Sequence, residues 1–171
     1  MQTENRALVA FASKYGATAE IANKIGQVIR KAGIEVDVLP FNRVNNLSQY
    51  RAIVIGSASY IGQWRKEAVK FVTQNEKLLA ERQVWVFSSG PTGEGDAKEL
   101  VKGWIYPPKL KPVMERIHPV DTTVFHGMID MKRISFLERF MINRVKAAGG
   151  DFRKWDRIDE WAAGIAKTLK G

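Results

Sequence analysis

Short, continuous apolar runs alternate along this chain with segments whose apolar residues recur at the helical period. Residues 7–11 form the first run, and residues 18–32 follow it with an apolar stripe that ends at Gly33. Strands that are buried on both faces and joined by amphipathic helices form a parallel sheet with right-handed crossovers, covered on both sides. The alternation therefore predicts an α/β protein.

Four further runs are predicted to be strands and two further segments to be helices. The strands are residues 35–39, 52–56, 84–87 and 122–125, and the helices are residues 66–80 and 156–169. The 171 residues show no internal repeat and no domain boundary, so we expect a single domain over residues 1–171. An extra segment lies at about 128–155, between the fifth strand and the last helix.

The chain contains no cysteine and only two histidines, His118 and His126. Disulfides, thiol catalysis and metal centres ligated by cysteine are therefore excluded. The histidines have no acidic cluster around them, so we expect no metal site. Any redox chemistry has to come from a bound cofactor.

The formal net charge is +9. A basic surface suits an acidic partner protein, an anionic substrate, nucleic acid or anionic lipid, and it is equally an ordinary solvated surface. No apolar run approaches the ~18 residues that span a membrane. The N-terminal segment, residues 1–6, is short and polar, with no signal-peptide apolar region after it, so we expect a cytoplasmic protein.

The loop after the first predicted strand has the features of an anion site. It consists of Ser13, Lys14, Tyr15, Gly16, Ala17 and Thr18, and it joins a buried strand to a helix N-terminus. Unpaired backbone N–H groups and the helix dipole favour an anion there, and Gly16 lets the backbone approach closely. Ser13 and Thr18 add hydroxyl donors. Thr18 also suits the helix N-cap, so a plain capped helix start is the alternative interpretation.

Two further loops follow strands at the same edge of the predicted sheet, where ligands of open α/β sheets bind. The loop after the third strand consists of Ser57, Ala58, Ser59, Tyr60, Ile61, Gly62, Gln63 and Trp64. A flat ring is predicted to stack on Tyr60 or Trp64, unless Trp64 simply packs on the next helix. The loop after the fourth strand begins Ser88, Ser89, Gly90, Pro91, Thr92 and Gly93. Its N–H groups are predicted to hydrogen-bond the edge of a ring; an ordinary turn-rich loop is the alternative.

Three other kinds of site on a similar sheet are excluded by their motifs. A Walker A motif needs Gly-x4-Gly-Lys-Ser/Thr, which is absent, and a dinucleotide fingerprint needs more than the one glycine in the first loop. A receiver domain needs an acidic cluster after the first strand and an aspartate after the third, where this chain has Ser13 and Ser57. The first loop therefore suits a single phosphate, and hence a mononucleotide.

The three loops and the order of strands and helices resemble the flavodoxin-like family over the whole chain. Residues 13–18 resemble its phosphate loop, Ser/Thr-x-Thr-Gly-x-Thr, with Tyr15 in place of a threonine. The resemblance implies a flavodoxin-like three-layer sandwich around a five-stranded parallel sheet of order 2-1-3-4-5, with helices on both faces. It also implies an FMN cofactor held by the three loops. Because the chemistry would then belong to the flavin, we predict no catalytic side chain.

Residues 125–151 are similar to the bacterial flavodoxin-like protoporphyrinogen oxidases of the menaquinone-dependent type. The matching residues are Gly127, Arg139-Phe140-Met141-Ile142 and Gly149-Gly150, whereas the third loop is richer in glycine than in that subfamily. This resemblance implies a quinone-linked FMN oxidoreductase of heme biosynthesis with protoporphyrinogen as its donor. The alternatives are a flavodoxin that carries single electrons to a redox partner protein, and an FMN-binding regulatory module. No nucleic-acid partner is expected.

Within the extra segment, apolar residues recur at helical spacing between basic ones. The apolar residues are Ile134, Leu137, Phe140, Met141 and Val145, and the basic ones are Arg139, Arg144 and Lys146. An amphipathic helix with a basic face binds the surface of an anionic membrane. We therefore predict that residues 128–146 dock peripherally at the inner face of the cell membrane; the alternative is that the apolar stripe packs against the sheet.

Overall fold

Five parallel strands form the central sheet of this computed structural model, which describes residues 5–171. The strands are β1 (Arg6–Ala12), β2 (Glu35–Pro40), β3 (Ala52–Tyr60), β5 (Gln83–Ser89) and β6 (Asp121–Phe125). They are arranged in the order β2-β1-β3-β5-β6, which confirms the predicted order 2-1-3-4-5. The first four residues of the polar N-terminal segment lie outside the described residues.

The structure adds three two-residue strands that the sequence did not predict. β4 (Gln63–Trp64) pairs antiparallel with the end of β3 and becomes a sixth strand of the main sheet. β3 runs four residues beyond its predicted end at Gly56, and Gly62, with a φ of 71°, allows the chain to turn back on it. β7 (Met128–Ile129) and β8 (Gly150–Asp151) form a separate antiparallel pair at the base of the extra segment.

Helices cover both faces of the sheet, and each face has its own apolar core. α1 (Ala17–Lys31) and α7 (Trp155–Lys170) cover one face, and α2 (Lys66–Gln74), α3 (Glu76–Ala80) and α5 (Lys111–Ile117) cover the other. Asn75, with a φ of −109° and a ψ of 13°, interrupts the predicted helix 66–80, and its side-chain amide donates to the carbonyl of Phe71 at 2.8 Å. No helix within residues 5–171 has the length and apolar character needed to cross a bilayer.

The remaining helices, α4 (Ala97–Leu100) and α6 (Phe136–Arg144), lie in the connections that follow β5 and β6. The apolar stripe predicted around α6 is divided by the structure. Ile134 is buried, whereas Leu137, Phe140, Met141 and Val145 are exposed, and so is Phe136, at 87%. The alternative that this stripe packs against the sheet is therefore wrong for most of its residues.

Candidate cofactor-binding site

The three predicted loops line one cleft of about 770 Å³ at the carboxyl edge of the sheet. They converge because β1, β3 and β5 are neighbours and run in the same direction. The predicted residues that line the cleft are Ser13, Lys14, Tyr15, Ala17, Thr18, Ala58, Ser59, Tyr60, Ile61, Gly62, Ser89, Gly90, Pro91 and Thr92. The structure thus brings together most of the residues that the sequence singled out.

Five predicted residues lie away from the cleft wall: Gly16, Ser57, Trp64, Ser88 and Gly93. Trp64 is buried in the core, and its indole N–H donates to the Ser88 hydroxyl at 2.7 Å. The hydroxyl of Ser57 accepts from the N–H of Arg65 at 3.3 Å. Trp64 therefore packs inward and is not placed to stack on a ring in the cleft, which leaves Tyr60 as the aromatic side chain of this loop.

The start of α1 differs from a capped helix. Gly16 occupies the N-cap position with a φ of 96°, and no side chain caps the helix. The interpretation of Thr18 as the N-cap is therefore wrong: its buried hydroxyl instead shares a hydrogen bond of 2.8 Å with the Ser89 hydroxyl of the third loop. Without a side-chain cap, the N–H groups of the first turn are available to an anion.

The other two loops touch at Gly90, and beside this contact they line the part of the cleft next to Tyr60 and Gly90, here called the slot. A Cβ added at Gly90 would lie 2.5 Å from the carbonyl oxygen of Ser59. On its other side, Gly90 packs against Gly127, whose N–H donates to the carbonyl of Pro91 at 2.9 Å. The hydroxyl of Thr92 is buried and has no partner within residues 5–171. The slot suits a flat ring whose edge offers hydrogen-bonding groups.

The second wall of the cleft was not predicted. It is formed by Leu100, Val101, Lys102 and Trp104 after β5, and by Gly127, Met128, Ile129, Asp130, Arg133, Ile134, Ile142, Val145, Lys146 and Ala147 of the extra segment. These residues lie outside the three loops that the sequence singled out. Two signals in the sequence drew attention to the extra segment, the resemblance of residues 125–151 to a subfamily and the helical spacing within residues 128–146, but neither placed it at the cleft.

Glu138 of α6 joins the second wall to the first loop. Its carboxylate accepts hydrogen bonds from the Lys14 ammonium and the Tyr15 hydroxyl, and from the N–H of Ser135 at 2.9 Å. The hydrogen bonds from Lys14 and Tyr15 lower the pKa of Glu138 to about 2. The same carboxylate raises the pKa of Lys14, and burial raises the pKa of nearby Tyr60. Glu138 was not predicted, although Ser135 and Glu138 form a capping box that the sequence contains.

Arg153 fastens the base of the extra segment to α1. Its guanidinium forms ion pairs with Glu20 in the first turn of α1 and with Asp151 of β8, the latter at 2.8 Å. The side chain of Arg153 is almost fully buried, and hydrogen bonds from it lower the pKa of Asp151. The extra segment is therefore attached at its base and, through Glu138, near its tip.

The residues of the cleft fit an FMN molecule. The uncapped start of α1 suits a phosphate at one end. The slot beside Gly90 suits the flat ring, and the unpartnered Thr92 hydroxyl offers a hydrogen-bonding group at its edge. The chain's own geometry thus supports a mononucleotide with a flat ring.

Comparison with known proteins agrees with the fold. The flavodoxin domain family matches residues 8–155, and the chain belongs to this family. A flavodoxin domain implies a flavin cofactor.

Among curated proteins, the chain is similar to the protoporphyrinogen IX dehydrogenase [quinone] of Escherichia coli strain K12. The two are 24% identical over 172 aligned residues, which cover 94% of each chain. Among solved structures, a flavodoxin from the domain Archaea aligns with a TM-score of 0.64 at 18% identity, covering 97% of this chain and 99% of that one. Oxidised flavodoxin 1 from Bacillus cereus aligns with a TM-score of 0.61 at 17% identity, covering 95% and 97%.

Proposed function

We propose that residues 1–171 form one FMN-binding domain that transfers electrons from an organic donor to a quinone, with protoporphyrinogen as the donor. The observation that carries this proposal is the second wall of the cleft, which adjoins the ring slot and is largely apolar. A carrier flavodoxin needs only to expose one edge of its flavin to a partner protein. A wall of this kind instead suits a second ligand beside the flavin.

In this proposal each part of the cleft holds a different part of the ligands. The first loop binds the FMN phosphate, and the slot beside Tyr60 and Gly90 holds the ring. FMN, when bound, supplies the redox chemistry, and the protein positions the ring and limits its contact with water. Trp104, which is 61% exposed at the cleft, is an additional aromatic surface for a flat donor or quinone.

Basic residues on the second wall match the charge of the proposed donor. Lys102, Arg133 and Lys146 line the cleft beside its apolar residues. A macrocycle that carries carboxylates is recognised by an apolar surface with cations at its rim. The similarity to the E. coli dehydrogenase supports the same donor and acceptor.

Purified protein loaded with FMN is expected to oxidise protoporphyrinogen anaerobically when a quinone is present, and to produce quinol. Porphyrin fluorescence and quinone absorbance measure the two half-reactions separately. Protein that exchanges single electrons with a redox partner protein, but shows no turnover with the quinone, would instead be a carrier flavodoxin. The exposed apolar and basic surface of α6 would then be a docking site for an acidic partner.

Replacing Thr18 with alanine is expected to weaken FMN binding about ten- to hundredfold, because a hydrogen bond to a charged group contributes about 1.5–3 kcal/mol. The Thr18 hydroxyl is buried at the cleft and is already oriented by Ser89. Titration of the apoprotein with FMN measures the affinity. Thr168→Ala is the matched control, since the Thr168 hydroxyl donates to a carbonyl within α7, far from the first loop. Equal affinities for the two variants would exclude a phosphate contact by Thr18.

We also propose that the exposed side of α6 brings the protein to the cytoplasmic face of an anionic membrane, where the quinone dissolves. Phe136, Leu137 and Phe140 are exposed there, and Arg139 and Arg144 lie between and beside them. Apolar side chains inserted at the headgroup boundary and cations above them are the two contributions that hold an interfacial helix.

A further inference from the structure

The cluster around Glu138 links two parts of the protein that are far apart in sequence. Tyr15 and Glu138 are 123 positions apart, yet the Tyr15 hydroxyl donates to the Glu138 carboxylate. Lys14, the neighbour of Tyr15, donates to the other oxygen of the same carboxylate. Two consecutive residues of the first loop are thus held by one side chain of α6.

Tyr15 is also the position at which the first loop departs from the phosphate-loop pattern of its family. A threonine hydroxyl at this position would be too short to reach α6. The Tyr15 hydroxyl is used by Glu138, and its ring lies 5.2 Å from the Lys14 ammonium. The tyrosine at position 15 therefore fits the presence of the extra segment, because its hydroxyl is the group that Glu138 of that segment binds.

The few buried contacts of α6 make its hydrogen bonds to the first loop important for its position. Ile142 is the only residue within α6 that is buried, and the apolar side chains of Phe136, Leu137 and Phe140 face solvent. A helix with so little buried apolar surface gains little from packing. Its polar attachment through Glu138 therefore has a large share in holding α6 beside the first loop.

We propose that Glu138 is a positioning residue that couples α6 to the phosphate loop through Tyr15. Docking of the extra segment on the first loop and binding of the FMN phosphate are then cooperative. This coupling rests on the proposed FMN site. A loop that is already held by α6 loses less conformational freedom when it closes on the phosphate. By linkage, phosphate binding then stabilises the docked position of α6 to the same extent.

Tyr15→Phe is the direct test, because it removes the hydroxyl without changing any charge near the phosphate. We expect FMN affinity to fall about fivefold, at the lower end of typical coupling between sites. Riboflavin, which lacks the phosphate, should bind the variant and the wild type equally. Tyr50→Phe is the matched control, since the Tyr50 hydroxyl donates to the Asp37 carboxylate at 2.6 Å, away from the cleft.

The double variant separates positioning from direct contact with the phosphate. In a Glu138→Ala background, which leaves the Tyr15 hydroxyl no acceptor on α6, Tyr15→Phe should have no further effect on FMN affinity, because the hydroxyl acts through the Glu138 side chain. Amide hydrogen exchange supplies a second measurement: FMN should slow exchange in residues 136–144 of the wild type, and much less so in Tyr15→Phe.

Three results would overturn the coupling. The first is an unchanged FMN affinity in Tyr15→Phe, and the second is an equal loss for FMN and riboflavin, which would indicate general damage. The third is an undiminished effect of Tyr15→Phe in the Glu138→Ala background, which would indicate a direct phosphate contact. Titration of the wild type comes first, because a wild type that binds no FMN contradicts the proposed function itself.

Discussion

Gly90→Ala is expected to weaken FMN binding about ten- to hundredfold while the protein remains folded. The added methyl group would lie 2.5 Å from the carbonyl oxygen of Ser59, which is backbone and cannot rotate away. Overpacking of this kind costs about 1–3 kcal/mol, and it is relieved here only if the loops after β3 and β5 separate. Separation widens the slot that the flat ring is proposed to occupy.

Flavin titration measures this loss, and circular dichroism and thermal unfolding report whether the fold persists. Gly164→Ala is the matched control, since a Cβ at Gly164 in α7 would meet nothing within 4 Å. Alanine at a helical position with open space should raise the free energy of unfolding by roughly 0.5–1 kcal/mol and leave FMN affinity unchanged. An FMN affinity of Gly90→Ala that equals the control would place the ring elsewhere in the cleft.

The centre of the sheet could be predicted from the sequence because β1, β3 and β5 are buried on both faces for most of their length. Continuous apolar runs such as residues 52–56 are typical of strands in the interior of a parallel sheet. Each of them is followed by a helical stripe or by a loop rich in small residues. The order of the strands and the place of the cleft then came from the family resemblance and from the rule that ligands bind at the carboxyl ends of parallel strands.

Within the predicted loops, the residue types alone did not allow us to predict which way each side chain points. Thr18 has the residue type of an N-cap, but Gly16 occupies the N-cap position with a left-handed backbone, and the Thr18 hydroxyl hydrogen-bonds the Ser89 hydroxyl of the third loop. Trp64 and Tyr60 were equivalent candidates for ring stacking. The short β4 strand pairs Trp64 with Ser59 and sends its indole into the core, which depends on a turn at Gly62 that no local pattern specifies.

The second wall was missed for a different reason. Its residues lie in the connections after β5 and β6, and their contact with the first loop is made over long separations in sequence, as between Tyr15 and Glu138. The apolar spacing of residues 134–145 predicted a helix correctly, but a single helix cannot reveal which of its residues will be buried. The structure buries Ile134 and Ile142 and leaves most of the stripe in solvent.

The exposed stripe makes the membrane proposal testable with a variant chosen from the structure. Lys146 lines the cleft, so its replacement would affect ligand binding as well as docking. Lys132, Arg139 and Arg144 are exposed on the same segment and do not line the cleft. Lys132→Glu combined with Arg139→Glu and Arg144→Glu is therefore the cleaner variant.

Wild-type protein is expected to co-sediment with anionic phospholipid vesicles at low salt and to dissociate from them at high salt. It is expected not to bind vesicles of zwitterionic lipid. Each basic residue near an anionic surface contributes about 1 kcal/mol, so the loss of three should reduce binding about hundredfold, and the introduced carboxylates add repulsion.

The control is Lys66→Glu with Lys70→Glu and Lys77→Glu, which makes the same charge change on exposed residues of α2 and α3. If the two triple variants lose vesicle binding equally, only the net charge matters and α6 is not the docking surface. Phe136→Ser should in addition weaken vesicle binding at low salt without changing how steeply binding falls as salt is added, because salt screens the charges but not the insertion of an apolar side chain.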